Sequence, residues 1–285
     1  MGKTMTSPDL HLHSTFSDGV LSPEQLVGAA QQAGVTVMAI TDHDTFGGSD
    51  SLHGAELPVR VIPGVELSIA DMQGLHLLGY GLGAGTALRE TVLQLAEKRV
   101  DRAKKMLERL RSLSVPLEWE MLEHKYHGTV GRPHIARALV HEGYVNSMQE
   151  AFERYLGSGK PAYVPGERLT MREALTLMRS SGYVPVLAHP YELRVEDTAL
   201  TALLNAWKDQ GLMGVEVYHP SAFSHGFDQL ERMTRRMGLL VTGGSDFHQE
   251  NDRHGRIGCT MQDWIRAEAD IDDLMTALEQ TKNEA

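Results

Sequence analysis

At 285 residues the chain is long enough for one large α/β domain or two smaller ones, with a core that needs no disulfide or structural metal to hold it. A formal net charge of -11 argues against indiscriminate binding to nucleic acid or anionic membrane, and the single cysteine, Cys259, excludes an intramolecular disulfide and a thiolate-ligated zinc site. No long apolar stretch and no basic-then-apolar leader is present, so a soluble, cytoplasmic protein with no membrane contact is expected. Histidine is abundant, 14 residues against 6 Phe and 8 Tyr, which core packing does not ask for.

After a short polar start, Met1 to Pro8, expected to be loose, comes Asp9-Leu10-His11-Leu12-His13-Ser14-Thr15-Phe16-Ser17-Asp18-Gly19. In an extended segment a His-x-His pair points both rings to one side, which suits two ligands on one ion. Ser22-Pro23-Glu24-Gln25 reads as an N-cap, a proline at the first helical position and a capping-box glutamine, with Leu26, Ala29, Ala30 and Ala33 on one face and a stop at Gly34. Val35 to Thr41 is a strand candidate leading into Asp42-His43-Asp44. Two more follow, Val59 to Glu66 and Leu75 to Tyr80, the second with His76 near its start.

Residues 82–165 break this rhythm. Gly81 to Gly85 lacks the Lys-Ser/Thr ending of a phosphate loop and reads as a flexible entry. Val92, Ala96, Val100, Ala103, Leu107 and Leu110 then recur at helical spacing, and further helix signals span Pro133 to Glu142 and Ser147 to Leu156. The alternation resumes with a helix from Thr170 to Gly182 and a strand from Val184 to Ala188, followed by His189. A helix capped by Asp197 ends near Gly211, and the strand Gly214 to Val217 precedes His219. The helix Gln229 to Met237 leads to the strand Leu239 to Thr242 and then to Gly244-Ser245-Asp246-Phe247-His248. Such alternation favours a parallel sheet or barrel, whose sites lie at the C-terminal ends of the strands, where most of these histidines and carboxylates fall. His76 is the exception and is expected to reach the site from within its strand.

These clusters, in this order, resemble the polymerase-and-histidinol-phosphatase (PHP) family over nearly the full length outside the insertion. The Gly131-Arg132-Pro133-His134 helix start and the placement of the insertion resemble its branch of nucleoside 3',5'-bisphosphate phosphatases and 5'-to-3' exoribonucleases of short RNA. The resemblance implies an α/β fold, a distorted (β/α)7 barrel in two parts, 1–81 and 166–285, with a helical cap at 82–165. It implies up to three divalent ions: one on His11, His13, Glu66 and Asp246, a second sharing Glu66 with His76 and His189, and a third on Asp18, His43 and His248. Imidazole and carboxylate without thiolate suit Mn, the first choice, or Fe or Zn. Asp42 and Asp44 are expected to support the site rather than ligate.

Such a cluster suits phosphoester hydrolysis, a bridging hydroxide attacking phosphorus. By contrast, Cys259 has no catalytic motif around it and Gly-x-Ser-x-Gly is absent. The implied substrate is a nucleoside 3',5'-bisphosphate or short 5'-phosphorylated RNA, with no stable protein partner. The alternatives are a histidinol-phosphatase-like enzyme and a non-catalytic metal-binding module. Arg132 and His134, at a helix start, are candidates to clamp a second phosphate. His219 is a candidate proton donor to the leaving alkoxide, acting with Asp246. Arg194, His225 and Lys160 are further substrate candidates. Lys98, Arg99, Arg102, Lys104, Lys105, Arg109 and Arg111 read as a solvated basic face able to steer a polyanion, and His124 and His127 as surface residues.

Overall fold

A computed structural model describes residues 7–82, 85–125, 130–250 and 255–284, without the side chains of residues 124 and 125. The start before Ser7, Gly83 and Ala84 of the glycine-rich entry, His127 and the His124 side chain lie outside the described residues. Seven strands form one sheet whose order follows the chain. They are β1 (Pro8–Leu12), β2 (Val37–Ile40), β3 (Arg60–Ser68), β4 (His76–Tyr80), β5 (Val184–Leu187), β6 (Gly214–Tyr218) and β7 (Leu240–Gly243). Beyond β7 the chain turns back beside β1, where Leu12 bridges Phe247 and the His13 N–H donates to the Phe247 carbonyl at 3.0 Å, so the sheet nearly closes into a barrel. The apolar runs of the sequence are its buried strands, with Leu10, Ile62, Val65, Leu67, Leu77, Leu78, Val186 and Val215 packed in one core.

One strand departs from the parallel pattern. β4 runs antiparallel to both β3 and β5, because residues 69–75 are too short to hold a crossover helix and close a hairpin instead. Its first residue, His76, pairs with Ser68 at the end of β3 and therefore sits at the same barrel mouth as the C-terminal ends of the parallel strands. His76 is the first residue of its strand, as expected, and the reversed direction of β4 is what brings it to that mouth.

The helices around the barrel follow their local signals. Helix α1 (Pro23–Gln32) carries the full capping box of Ser22 and Gln25, though its buried face is Leu26, Val27 and Ala30, with Ala33 exposed. A short helix α2 (Gly47–Ser51) follows β2. Helix α7 (Met171–Ser180) has the Thr170 and Glu173 capping box. Helix α8 (Asp197–Lys208) takes Asp197 as its first residue rather than its cap; Glu196 holds that position without a side-chain bond. Helix α9 (Asp228–Arg236) precedes β7, and a terminal helix, α10 (Ala267–Glu284), which no sequence signal had announced, packs Ile271, Leu274 and Leu278 on the barrel. No helix among the described residues is long and apolar enough to cross a membrane.

Between β4 and α7 lie α3 (Thr86–Ser112), α4 (Trp119–Lys125), α5 (Arg132–His141) and α6 (Met148–Ala151). They enclose a core of their own, in which Met106, Leu107 and Leu110 meet Ile135, Leu139, Ala151 and Leu156. The expected last helix widens after Ala151 into a π turn, Phe152–Leu156, closed by the Gly157 N–H on the Phe152 carbonyl at 2.8 Å.

Candidate metal centre

The barrel mouth gathers side chains from almost every strand end. Glu66, fully buried near the end of β3, lies at the middle. Its Oε2 faces His11 Nε2 and His13 Nε2, each at 3.2 Å, and His43 Nδ1 at 3.0 Å. Its Oε1 faces His76 Nδ1 at 2.8 Å and His189 Nε2 at 3.0 Å. One carboxylate thus presents an oxygen to each of two histidine sets. Asp246 Oδ1 adds a second carboxylate to the first set, 3.3 Å from His11 Nε2 and 3.1 Å from His13 Nε2. Asp18 Oδ1 lies 3.1 Å from His248 Nε2, whose ring stacks on His13 with centroids 4.1 Å apart.

Three groups of donor atoms are close enough to share an ion: His11, His13, Glu66 and Asp246; His13, Asp18, His43 and His248; and His43, Glu66 and His76. All nine candidate ligands lie in this one cluster, with His189 joining through Glu66 and through His76 Nδ1 at 3.2 Å. The donors fit divalent cations on their own chemistry. His11 Nε2, His13 Nε2 and Glu66 Oε2 are buried and converge without hydrogen-bond geometry, as lone pairs around a cation would. Burial disfavours charge here, yet the facing carboxylates Asp246 and Glu66 push His13 up to about 10. Burial likewise resists ionisation of Glu66, but His43, His76 and His11 hold its carboxyl well below the ordinary range. The site is built to carry positive charge among its carboxylates.

The surroundings brace these donors. Asp42 does not face the cluster: it accepts from the Ser14 N–H at 2.7 Å and from the Ser14 and Ser17 hydroxyls at 2.6 Å each, tying down the loop that carries Asp18. Asp44 accepts from the Ser68 N–H at 3.0 Å and pairs with Arg99. Asp9 accepts from Ser245 N–H at 2.9 Å and Gly258 N–H at 2.7 Å, fixing the loop of Asp246 to β1. Asp44, His189 and Asp246 all have left-handed backbones, with φ of 51°, 26° and 52°, a conformation that a non-glycine residue keeps only where its surroundings impose it. Gly244 is required for close approach, since a Cβ there would lie 2.4 Å from the His11 Cβ.

His219 follows β6 and is buried. Its Nδ1 accepts from the Ser221 N–H at 3.1 Å, which puts the ring proton of the neutral form on Nε2, 3.5 Å from Asp246 Oδ2. His134 is buried as well, and its Nδ1 accepts the Gly131 N–H at 2.8 Å. Burial pushes it down to about 4, and in this structure it serves as a neutral cap of α5. Arg194 and His225 are exposed on the loops after β5 and β6; His225 stacks on Tyr191, ring centroids 4.7 Å apart, rather than joining the cluster. Lys160 is exposed in the cap.

Arg132 belongs to a group the sequence did not foreshadow. Arg99, Arg102 and Arg168 converge on it between the cap and the barrel. Arg132 lies over Tyr163 and Phe152, Arg102 donates to the Val164 carbonyl at 2.6 Å, and Arg168 donates to that of Ile69 at 3.5 Å. Arg99 and Arg102 are thus turned inward, unlike the solvated face expected of their helix. No carboxylate lies within ion-pair reach of Arg102, Arg132 or Arg168 among the described residues. Burial, then the positive neighbours Arg132 and Arg168, push Arg102 down to about 10. The group adjoins the donor cluster through Arg99 on Asp44 and through Arg137 of α5, which donates to the Asp18 carbonyl at 2.8 Å.

Sequence reasoning also missed Glu216, buried within Gly214-Val215-Glu216-Val217 of β6. It accepts a hydrogen bond from His11 Nδ1 at 3.0 Å and one from the His189 N–H at 2.8 Å. A lone charged residue in an apolar strand was the available signal.

Comparison with known proteins agrees with this geometry. The PHP domain model matches residues 9–159, more than half of the chain. A 5'-3' exoribonuclease, Rnm, of Salmonella typhimurium is 35% identical over 85% of each chain. A 3',5'-nucleoside bisphosphate phosphatase of Chromobacterium violaceum is 30% identical over 90% of this chain and 92% of its own. A solved structure described as a metal-dependent phosphoesterase from Bifidobacterium adolescentis superposes with a TM-score of 0.82 at 29% identity, covering 95% of this chain and 96% of that one. A barrel of seven strands, a mouth crowded with histidine and carboxylate, and relatives that span nearly its whole length lead to one assignment: this chain belongs to the PHP domain family and is a metal-dependent phosphoesterase.

Proposed function

We propose that this enzyme removes the 3'-phosphate of nucleoside 3',5'-bisphosphates and cleaves the first linkage of short 5'-phosphorylated RNA. The observation that carries this reading is the arginine group beside the donor cluster. Four guanidinium groups held together, three of them without a carboxylate partner among the described residues, repel one another at a cost that a bound phosphate removes. A substrate with two phosphates meets both sites at once, one phosphate in the donor cluster and the other among Arg102, Arg132 and Arg168. The names of the two relatives, an exoribonuclease and a nucleoside bisphosphate phosphatase, support the same substrate class.

The nine donors would hold up to three ions, Mn before Fe or Zn, with Glu66 shared between the set of His11, His13 and Asp246 and the set of His76 and His189. Bound divalent ions supply hydroxide at neutral pH and neutralise charge on phosphoryl oxygens. The chain's own residues do the rest. The arginines fix one phosphate, so that the other presents its P–O bond in a constant position. His219 holds a proton on Nε2, the atom that faces Asp246, and donates it to the 3'-oxygen as the P–O bond breaks. His225 and Arg194 contact the part of the substrate that extends from the mouth.

A histidinol-phosphatase-like enzyme needs no second anion site, which is where the two readings part. Phosphate release by Mn-loaded protein from adenosine 3',5'-bisphosphate, adenosine 3'-phosphate and histidinol phosphate, with mononucleotide release from 5'-phosphorylated dinucleotides followed in parallel, separates them. Preference for the bisphosphate and dinucleotides is expected. Preference for histidinol phosphate would overturn the substrate assignment.

A further inference from the structure

Glu216 touches two parts of the donor cluster, the His11 ring and the His189 backbone. Its Oε1 lies 3.0 Å from His11 Nδ1, and its Oε2 accepts the His189 backbone N–H at 2.8 Å. His11 faces Glu66 Oε2, whereas His189 faces Glu66 Oε1, so Glu216 reaches both sides of the shared carboxylate from behind. We propose that Glu216 is a positioning residue for the metal centre, one oxygen setting the ring of His11 and the other anchoring the left-handed backbone of His189, so that the donors on the two sides of Glu66 stay in register. The proposal rests on the reading of this cluster as the metal centre, but not on the substrate.

The argument is one of donors and acceptors. With Nδ1–H given to Glu216, the His11 lone pair is on Nε2, aimed at Glu66 and Asp246. His189, at φ 26° and ψ 60°, holds a strained conformation, and the bond from its N–H to Glu216 opposes relaxation. Both partners are donors, so both need an acceptor. A carboxylate supplies two acceptor oxygens, whereas an amide supplies one acceptor and one donor. In Glu216→Gln, a carbonyl kept on the His189 N–H turns the NH2 toward His11 Nδ1. That nitrogen must then accept, the ring proton moves to Nε2, and the metal-facing lone pair is lost. In the opposite rotamer the NH2 meets the His189 N–H and the anchor is lost.

The test uses the full chain and two readouts other than turnover: bound Mn per chain after equilibrium dialysis, and the protonation pattern of the His11 ring from 15N NMR of the chelator-treated protein. In the wild type the Nδ1–H form of His11 is expected. In Glu216→Gln, Mn affinity should fall by about 10- to 100-fold, with a shift of His11 to Nε2–H or loss of ions on the His189 side. Glu216→Asp, which keeps two acceptors on a shorter arm, should restore the Nδ1–H form partly. Unchanged Mn binding and an unchanged His11 ring in Glu216→Gln would overturn the proposal. Should that variant not fold, the wild-type ring decides alone, since Nε2–H there contradicts the proposed contact. Wild-type protein that binds no Mn would remove the metal reading and the proposal with it, whereas Mn binding without the expected substrate preference would remove only the substrate assignment.

Discussion

The barrel mouth and the cap are polar in opposite senses. At the mouth, carboxylates and imidazoles converge so closely that burial alone would expel them, and His13 is driven up to about 10 by the carboxylates around it. Between cap and barrel, guanidinium groups converge and lower one another, Arg99 and Arg102 both to about 10 after burial has taken its share. Each cluster is costly alone, and each is complemented by what the other lacks: cations for the mouth, anions for the arginines. On the function proposed above, a phosphorylated substrate with divalent ions satisfies both, and the two clusters share a border at Asp44 and Asp18.

The contrast predicts unequal effects. His189→Ala removes a donor on one side of Glu66 and should lower kcat by roughly 1000-fold, the equivalent of several kcal/mol of lost transition-state stabilisation. Circular dichroism should show an intact fold, and wild-type turnover in that variant would break the metal reading of the mouth. Arg132→Ala and Arg168→Ala should act through binding. KM for a nucleoside 3',5'-bisphosphate should rise about 10- to 100-fold, the value of one charge-assisted contact, while adenosine 3'-phosphate is little affected. Equal losses on both substrates would show that the arginines do not read the second phosphate.

A smaller effect concerns acid. His134 is pushed down to about 4 in the folded protein, against 6.5 for the ordinary imidazole. The unfolded chain therefore binds its proton first. This group's stabilising contribution is complete above pH 6.5 and falls as the pH drops toward 4, by up to about 3 kcal/mol. His134→Gln, which keeps an acceptor for the Gly131 N–H, should flatten the fall of denaturation midpoint over that range. The smallest effects are at the helix starts. Ser147→Ala in the cap and Thr170→Ala on the barrel should each cost about 1 kcal/mol in urea unfolding, and an equal loss in both would show that the two regions draw on ordinary local capping despite their different chemistry.

The mouth was far more legible in the sequence than the cap. His11, His13, His43, His189 and His248 each sit within or at the end of an apolar run, and a strand that ends at a barrel mouth turns such a run into an address. His76 was placed near the start of its strand, where it lies, but the direction of β4 was not legible, because it depends on a hairpin that pairs Ser68 with His76, an event that no local pattern records. Glu216 and Arg168 were missed for a related reason. Each is one charged residue, Glu216 set in an apolar strand, and what it does comes from partners far along the chain: His11 for the first, Arg99, Arg102 and Arg132 for the second. Arg99 and Arg102 were read as solvent-facing from a run of seven positive charges, because charge count says nothing about which side of a helix a neighbouring layer will cover.

The junction of β1 with the segment after β7 has a consequence for synthesis. Of the first donors to leave the ribosome, His11 packs beside Gly244 and His13 bonds to Phe247, and Asp246 and His248 arrive only when that later segment docks beside Leu12. A nascent or prematurely terminated chain that stops before Leu240 lacks both the closing contact and a carboxylate of the first donor group. Hydrolysis at this mouth therefore waits on synthesis of the segment after β7, and fragments released before it carry an incomplete first donor group.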